Sequence, residues 1–216
     1  MAGSRPRSRT CDAVKNASNR REPAWNELIG LLEGCKYTFG LQTVPMRFHT
    51  IAFAPGLSDL EVTTVEGRYG FRFPPDLREF LQTGVPVGPM FPDWRAHDAV
   101  LGDFFVASQD GILFDVEYNR FWHPEWGIRP TDMAESLSMA KRELARVPPL
   151  VPIFGHRLMP TLPHRPGNPV LSVVQTDIIV YGANLAEYLR VEFRLPDSGT
   201  RSLVRLDLPF WGELMQ

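Results

Sequence analysis

The chain has little of what most catalytic or secreted proteins carry. Two cysteines occur in 216 residues, Cys11 and Cys35. One lies in a polar stretch, so a bridge between them would staple little, and this usage fits a reducing compartment. No apolar run approaches the roughly 18 residues of a membrane span, and the N-terminus has no apolar core of a secretory signal. Gly-x-Ser-x-Gly, Walker and Gly-x-Gly-x-x-Gly motifs are missing, as is any internal repeat. These absences point to a cytoplasmic, non-membrane protein without a legible nucleotide site or nucleophile elbow.

Charge is also scarce. The net charge is −2 and the pI near 6.2, which is not the balance of a general nucleic-acid binder. It is unevenly spread. Residues 1–22 hold Arg5, Arg7, Arg9, Lys15, Arg20 and Arg21 against Asp12 and Glu22, a surplus of +4 that leaves −6 for the rest. With almost no large apolar residue, this stretch reads as a disordered basic tail. Residues 23–216 read as one domain, since 44% hydrophobic and 11% aromatic residues are ample for a core.

What is present is a succession of short elements. Trp25, Leu28, Ile29 and Leu32 recur at helical spacing and Gly34 supplies a stop, giving an N-terminal helical extension. Thr38 to Ala54, around Phe48, Ile51 and Phe53, reads as an extended arm. Ser58-Asp59-Leu60-Glu61 is a capping box, with Leu60, Val65 and Tyr69 expected on the core face and Gly67 and Gly70 weakening and ending the helix. Pro75 suits the first turn of a second helix, where Asp76 faces the positive end of the dipole and Leu77, Phe80 and Leu81 form the buried stripe.

His97 to Val106 reads as a short helix, Asp110-Gly111 as a turn and Ile112 to Val116 as a strand. An aromatic loop, Phe121 to Gly127, precedes a helix from Asp132 to Arg146 capped by Thr131 and stopped by Pro148-Pro149. Leu150 to Phe154 is a strand. Val170–Val174 and Ile178–Tyr181 form a hairpin, Leu185 to Phe193 a closing helix, and Arg201 to Leu208 an edge strand. The sum is an α+β domain with a mixed or antiparallel sheet partly wrapped by helices.

The chemistry-bearing residues are few. His123-Pro124-Glu125 matches half of the zinc deaminase pattern, but the Pro-Cys-x-x-Cys half is missing. His123, His156 and His164 lack metallohydrolase spacing, and His156-Arg157 reads as closing the end of the preceding strand through backbone hydrogen bonds. No metal and no cofactor is expected. Asp115 and Glu117, on alternate positions of the expected strand, share a face as a weak acid/base pair or as a solvated or ion-paired edge. Trp94, Trp122 and Trp126 lie in Pro/Gly-bounded loops, with Asp93, Glu125 and Asp177 as acidic company. Such aromatics are either anchors for a protein partner or a satellite core under a long connection.

The capped helix with Val65-Glu66 and Gly70-Phe71, the start Phe73-Pro74-Pro75-Asp76-Leu77-Arg78-Glu79-Phe80-Leu81 and the Asp-Gly turn into Ile112-Leu113-Phe114 together resemble the SUKH superfamily. So do Leu150-Val151-Pro152-Ile153-Phe154, the Tyr181-Gly182 strand end and Leu185-Ala186-Glu187-Tyr188-Leu189. The likeness spans roughly residues 58–193, and its motifs are hydrophobic, glycine and proline positions. Gly155-His156-Arg157 and Gly167-Asn168-Pro169-Val170 resemble a branch common in high-GC bacteria. The resemblance implies a SUKH-like α+β domain with no catalytic set, whose bacterial members are often immunity proteins that occlude toxins, many of them nucleases. Fungal relatives of Smi/Knr type are regulatory interaction proteins, which gives a scaffold without a toxin partner as the alternative. The basic tail and the segment up to Ala54 precede the usual start, and the connection from Asp115 to Pro149 is longer and more aromatic. Asp93, Trp94, Trp122, Glu125, Trp126 and Asp177 are the expected partner-binding residues.

Overall fold

Three side-chain oxygens set where three of the helices begin. In a computed structural model that describes residues 24–39, 46–96, 99–196, 204 and 207–215, Ser58, Asp132 and Asn184 each accept a hydrogen bond from the backbone amide three residues on. At Ser58 the box is complete, because Glu61 also accepts from the Ser58 amide at 2.8 Å. The helix it starts, α2 (Asp59–Tyr69), ends on Gly70 at φ 68°, a left-handed conformation that glycine adopts without penalty. Helix α1 (Trp25–Leu32) precedes it, and α3 (Pro75–Thr83) starts on Pro75.

Between α1 and α2 the chain forms β1 (Lys36–Phe39), β2 (Arg47–Thr50) and β3 (Ala52–Pro55); β1 pairs with β2, and β3 pairs with β4 (Gly84–Val87), all antiparallel. The expected extended arm is thus two small ribbons. Helix α4 (Ala99–Tyr118) is followed by a 3₁₀ turn at Pro124–Trp126 and by α5 (Met133–Leu144). A four-stranded antiparallel meander comes next: β5 (Leu150–Phe154), β6 (Arg157–Pro160), β7 (Val170–Val174) and β8 (Asp177–Gly182). Helix α6 (Leu185–Glu192) and a 3₁₀ turn at Trp211–Glu213 complete the described chain.

Strand alternation gives the meander two apolar faces. Val151, Ile153, Met159 and Val170 join a core with α1, α2, α3 and α6, while Leu150, Leu158, Leu171, Val173 and Ile178 join a second core with α4, α5 and Trp211. Trp211 is 1% exposed and its indole N–H donates to the Pro148 carbonyl at 2.7 Å. Arg157 pins α6 to the first face: its guanidinium lies 3.7 Å from the Tyr181 ring centroid and pairs with Glu192 at 3.3 Å. The His156-Arg157 segment therefore opens a strand, β6, that sequence patterning does not show.

The largest correction concerns residues 99–118. They form one twenty-residue helix, and Asp110-Gly111 is neither a turn nor the prelude to a strand. Gly111 is there for close approach: a Cβ would stand 2.9 Å from Gln175 Cα and 3.1 Å from Gln175 N at the tip of the β7–β8 hairpin. Smaller corrections follow. Leu60 is 76% exposed, and Val62 with Val65 takes its place in the core. Asp132, not Thr131, caps α5. The expected tail at residues 1–22 falls outside the described residues, as does most of the expected 201–208 edge strand.

Gly111 and Gly102 make a matched pair on one helix, because nothing lies within 4 Å of a Cβ at Gly102. Gly102→Ala is expected to stabilise by about 0.5–1 kcal/mol through helix propensity. Gly111→Ala should destabilise by about 1–3 kcal/mol despite the same propensity gain, since hairpin backbone must move. Urea unfolding of both variants checks the pair, and an equal gain in both would contradict the close approach.

Candidate functional site

The expected partner-binding residues divide between the two cores and the surface. Trp94 is 3% exposed, edge-on to Phe73 at 5.0 Å in the larger core. Trp126 is 6% exposed, set among Phe121, Trp122, His123 and Phe210 in the smaller one. Both indoles fill interior space and are not free anchors, because loops this aromatic bury their rings when a sheet face lies beneath. Trp122 is half-buried, its N–H donating to the Gly127 carbonyl at 2.8 Å with the Arg129 guanidinium 5.7 Å from its ring. Asp93, Glu125 and Asp177 are exposed. Asp93 accepts from the Arg95 amide, Glu125 sits in the 3₁₀ turn, and Asp177 opens β8.

Asp115 and Glu117 share no face, since both lie on a helix where residues two apart point away from each other. Glu117 is exposed, whereas Asp115 is 3% exposed. The Asp115 carboxylate accepts from the Thr176 amide at 2.9 Å, the Thr176 hydroxyl at 2.5 Å and Asn119 Nδ2 at 2.6 Å. Arg129 does not pair with it; its guanidinium donates to the Val116 and Phe121 carbonyls. Burial pushes the Asp115 pKa up, and the bonds from the Thr176 hydroxyl, Asn119 and the Thr176 amide outweigh it, leaving the pKa below its ordinary 3.8.

With Asp115 and Gly111 against the hairpin and Gln109 Nε2 donating to the Leu144 carbonyl of α5, the remaining side of α4 is left to solvent. Asp103, Val106, Ala107, Asp110, Phe114, Glu117 and Tyr118 are all exposed. At 3.6 residues per turn they fall within about 120° of the helix wheel. Val106, Phe114 and Tyr118 are 47%, 45% and 63% exposed, and the Phe114 and Tyr118 rings lie 4.7 Å apart. No lysine or arginine occurs anywhere in α4. A face of three acids interleaved with three apolar side chains thus stands between the hairpin tip and α5. Its spacing is visible in the sequence once Asp110-Gly111 is not taken as punctuation.

Two shallow hollows indent the larger core's surface. One, of about 310 Å³, is lined by Leu60, Glu61, Thr64, Val65, Arg68, Trp94 and Arg95. Arg95 closes its rim, 2.6 Å from Glu61 and donating to the Pro55 and Gly56 carbonyls. The hydrogen bond from Arg95, with those from the Ser58 amide and hydroxyl, lowers the Glu61 pKa to about 2. The other, of about 430 Å³, runs between Gly70–Arg72 and Pro148, Pro149, Thr161, Leu162 and His164. His164 Nε2 lies 3.1 Å from the Phe73 carbonyl oxygen and His156 Nε2 contacts Arg157, so the three histidines of the sequence reading are dispersed. His123 instead meets Glu125 and Glu213.

These features define an α+β protein with a doubly covered antiparallel sheet and an acidic, apolar outer helix. No family model, curated protein or solved structure matches the chain. No helix among the described residues is long and apolar enough to cross a membrane.

The Asp115 geometry fixes a pH dependence. A carboxylate whose folded pKa lies below its unfolded value contributes stability above about pH 4, lost as pH falls through the folded pKa. Asp115→Ala is expected to cost about 3 kcal/mol at pH 7, because it also strands the Thr176 amide. The gap to wild type should narrow on acidification below about pH 4. Denaturant unfolding across pH checks this; a gap independent of pH would contradict the bonding described.

Proposed function

We propose that the chain is a protein-binding protein of SUKH type that docks the outer face of α4 against a basic partner and acts by occluding it, in the manner of an immunity protein against a nuclease-type toxin. One observation carries the reading: Asp103, Asp110 and Glu117 alternate with Val106, Phe114 and Tyr118 on a helix side left uncovered by its own fold. A lysine- and arginine-rich surface would be steered to it by charge, and the −6 of residues 23–216 acts in the same sense at longer range. Phe114 and Tyr118 supply the desolvated contact that holds the complex once formed.

Size sets what else must take part. The exposed stripe rises over sixteen residues, about 24 Å, and about 10 Å across it offers roughly 240 Å². A standard interface needs about 800 Å² from each partner. The flanks then have to contribute. Asp177 at the hairpin tip is tied to α4 by the neighbouring Thr176–Asp115 bonds, and Glu125 with Trp122 follows where the chain folds back at the helix end. Exposed Asp177 and Glu125 and half-buried Trp122 belong to the rim in this reading; buried Trp126 lies edge-on beneath Trp122 at 5.3 Å, while Trp94 belongs to the larger core.

The test is capture from the native host with purified protein, followed by affinity measurement on the captured partner. The expected partner is basic, its binding weakens with added salt, and an Asp103→Lys/Asp110→Lys/Glu117→Lys variant of unchanged stability loses it. Phe114→Ala and Tyr118→Ala should each cost about 1–3 kcal/mol of binding. An acidic partner, or full affinity in the triple variant, would overturn the proposal.

A further inference from the structure

We propose that His123, Glu125 and Glu213 form a site for one divalent transition-metal ion, of which zinc is the fitting representative. The site is independent of the α4 face. One ligand atom from each residue lies within 4.8 Å of the others, although Glu213 is ninety residues on from His123. The imidazole is 3% exposed and walled by Phe210 at 5.0 Å and Trp126 at 5.7 Å between ring centroids, so its orientation is fixed by packing. Glu125 and Glu213 are exposed side chains, so water or an exogenous ligand has access to complete a four-coordinate shell.

The spacing has room for an ion between the side chains. His123 Nε2 stands 3.3 Å from Glu213 Oε2, and the Glu125 amide stands 3.3 Å from His123 Nδ1. Both are polar contacts of the metal-free site, one a cap on the 3₁₀ turn and the other an imidazole–carboxylate pair. Two ligands each about 2.0–2.1 Å from one tetrahedral ion lie about 3.3–3.4 Å apart, the separation seen between Nε2 and Glu213. Electrostatics point the same way. Two carboxylates converge here, and no Lys or Arg of the described residues forms an ion pair with either. A divalent cation offsets that charge more fully than the imidazole does.

One imidazole with two carboxylates is a borderline-to-hard set, suited to zinc and manganese and less to the all-oxygen preference of calcium and magnesium. Ligation at Nε2 requires the ring proton on Nδ1, which ends the hydrogen bond that Nδ1 accepts from the Glu125 amide. That contact is the cost of loading. In return the ion ties the 3₁₀ turn at Trp211–Glu213 to the aromatic loop, holding Trp211 over the smaller core.

Chelator-treated full-length protein titrated with zinc chloride in a calorimeter, with thermal unfolding in parallel, tests the site. One ion per chain and a raised Tm are expected. Glu125→Gln and Glu213→Gln, which preserve side-chain volume, should each weaken binding by at least about tenfold, the loss that even an outer-shell partner costs. Far-ultraviolet circular dichroism confirms that these variants remain folded. No saturable binding, or wild-type affinity in both variants, would overturn the site.

Discussion

A buried carboxylate joins the long helix to the tip of the meander, and the arrangement of the smaller core depends on it. Among the described residues no cation forms an ion pair with Asp115. Three donors from Thr176 and Asn119 keep it ionised at 3% exposure. An ion pair would have required desolvating a second charge, a cost that attraction in the interior often fails to recover. Here one short bidentate grip and a glycine beside it suffice. Gly111 lets the hairpin backbone approach to where a Cβ would collide, and Asp115, one turn on, holds it there. With that side engaged and α5 on the other flank, the remaining stripe of α4 has only one direction to face.

The doubly covered sheet explains why the aromatic loops are not the outer surface. Each strand contributes alternate residues to opposite cores, so both faces need a lid. Phe73, Phe91 and Trp94 help close the first, while Trp126, Phe210 and Trp211 help close the second. A tryptophan in a loop over an apolar sheet gains more from burial than from waiting for a partner. What remains exposed is apolar surface that cannot turn inward because it belongs to a rigid element already packed on its other side, and α4 is the longest such element.

Much of the fold was legible because local chemistry and tertiary packing agreed. The Ser58 capping box, the Pro75 start, the Leu150–Phe154 strand, the Val170–Gly182 hairpin and the Asn184-capped helix all have strong signals within a few residues. Where sequence reading failed, distant contacts had the decisive part. Asp110-Gly111 has the composition of a turn, and only the approach of Gln175, over sixty residues away, shows why a glycine stands inside a helix. Leu60 occupies an apolar phase of α2 but faces water, since Val62 and Val65 meet the core. Strand β6 was hidden by its setting of Gly, His, Arg and Pro, and is held by the neighbours β5 and β7. For the candidate surface, the acids and rings of α4 were visible as residue types but not as one stripe, because the stripe exists only if residues 99–118 are a single helix.

Amide hydrogen exchange on the free protein, resolved to single residues, bears most directly on that last point. A continuous helix docked on the hairpin predicts unbroken protection from Asp103 to Tyr118, with Gly111 and Ile112 as slow as their neighbours and the Thr176 amide slowed by its bond to Asp115. Fast exchange at Asp110–Ile112, together with an unprotected Thr176 amide, would mean that the helix is broken there and that the outward face of α4 does not exist as a unit.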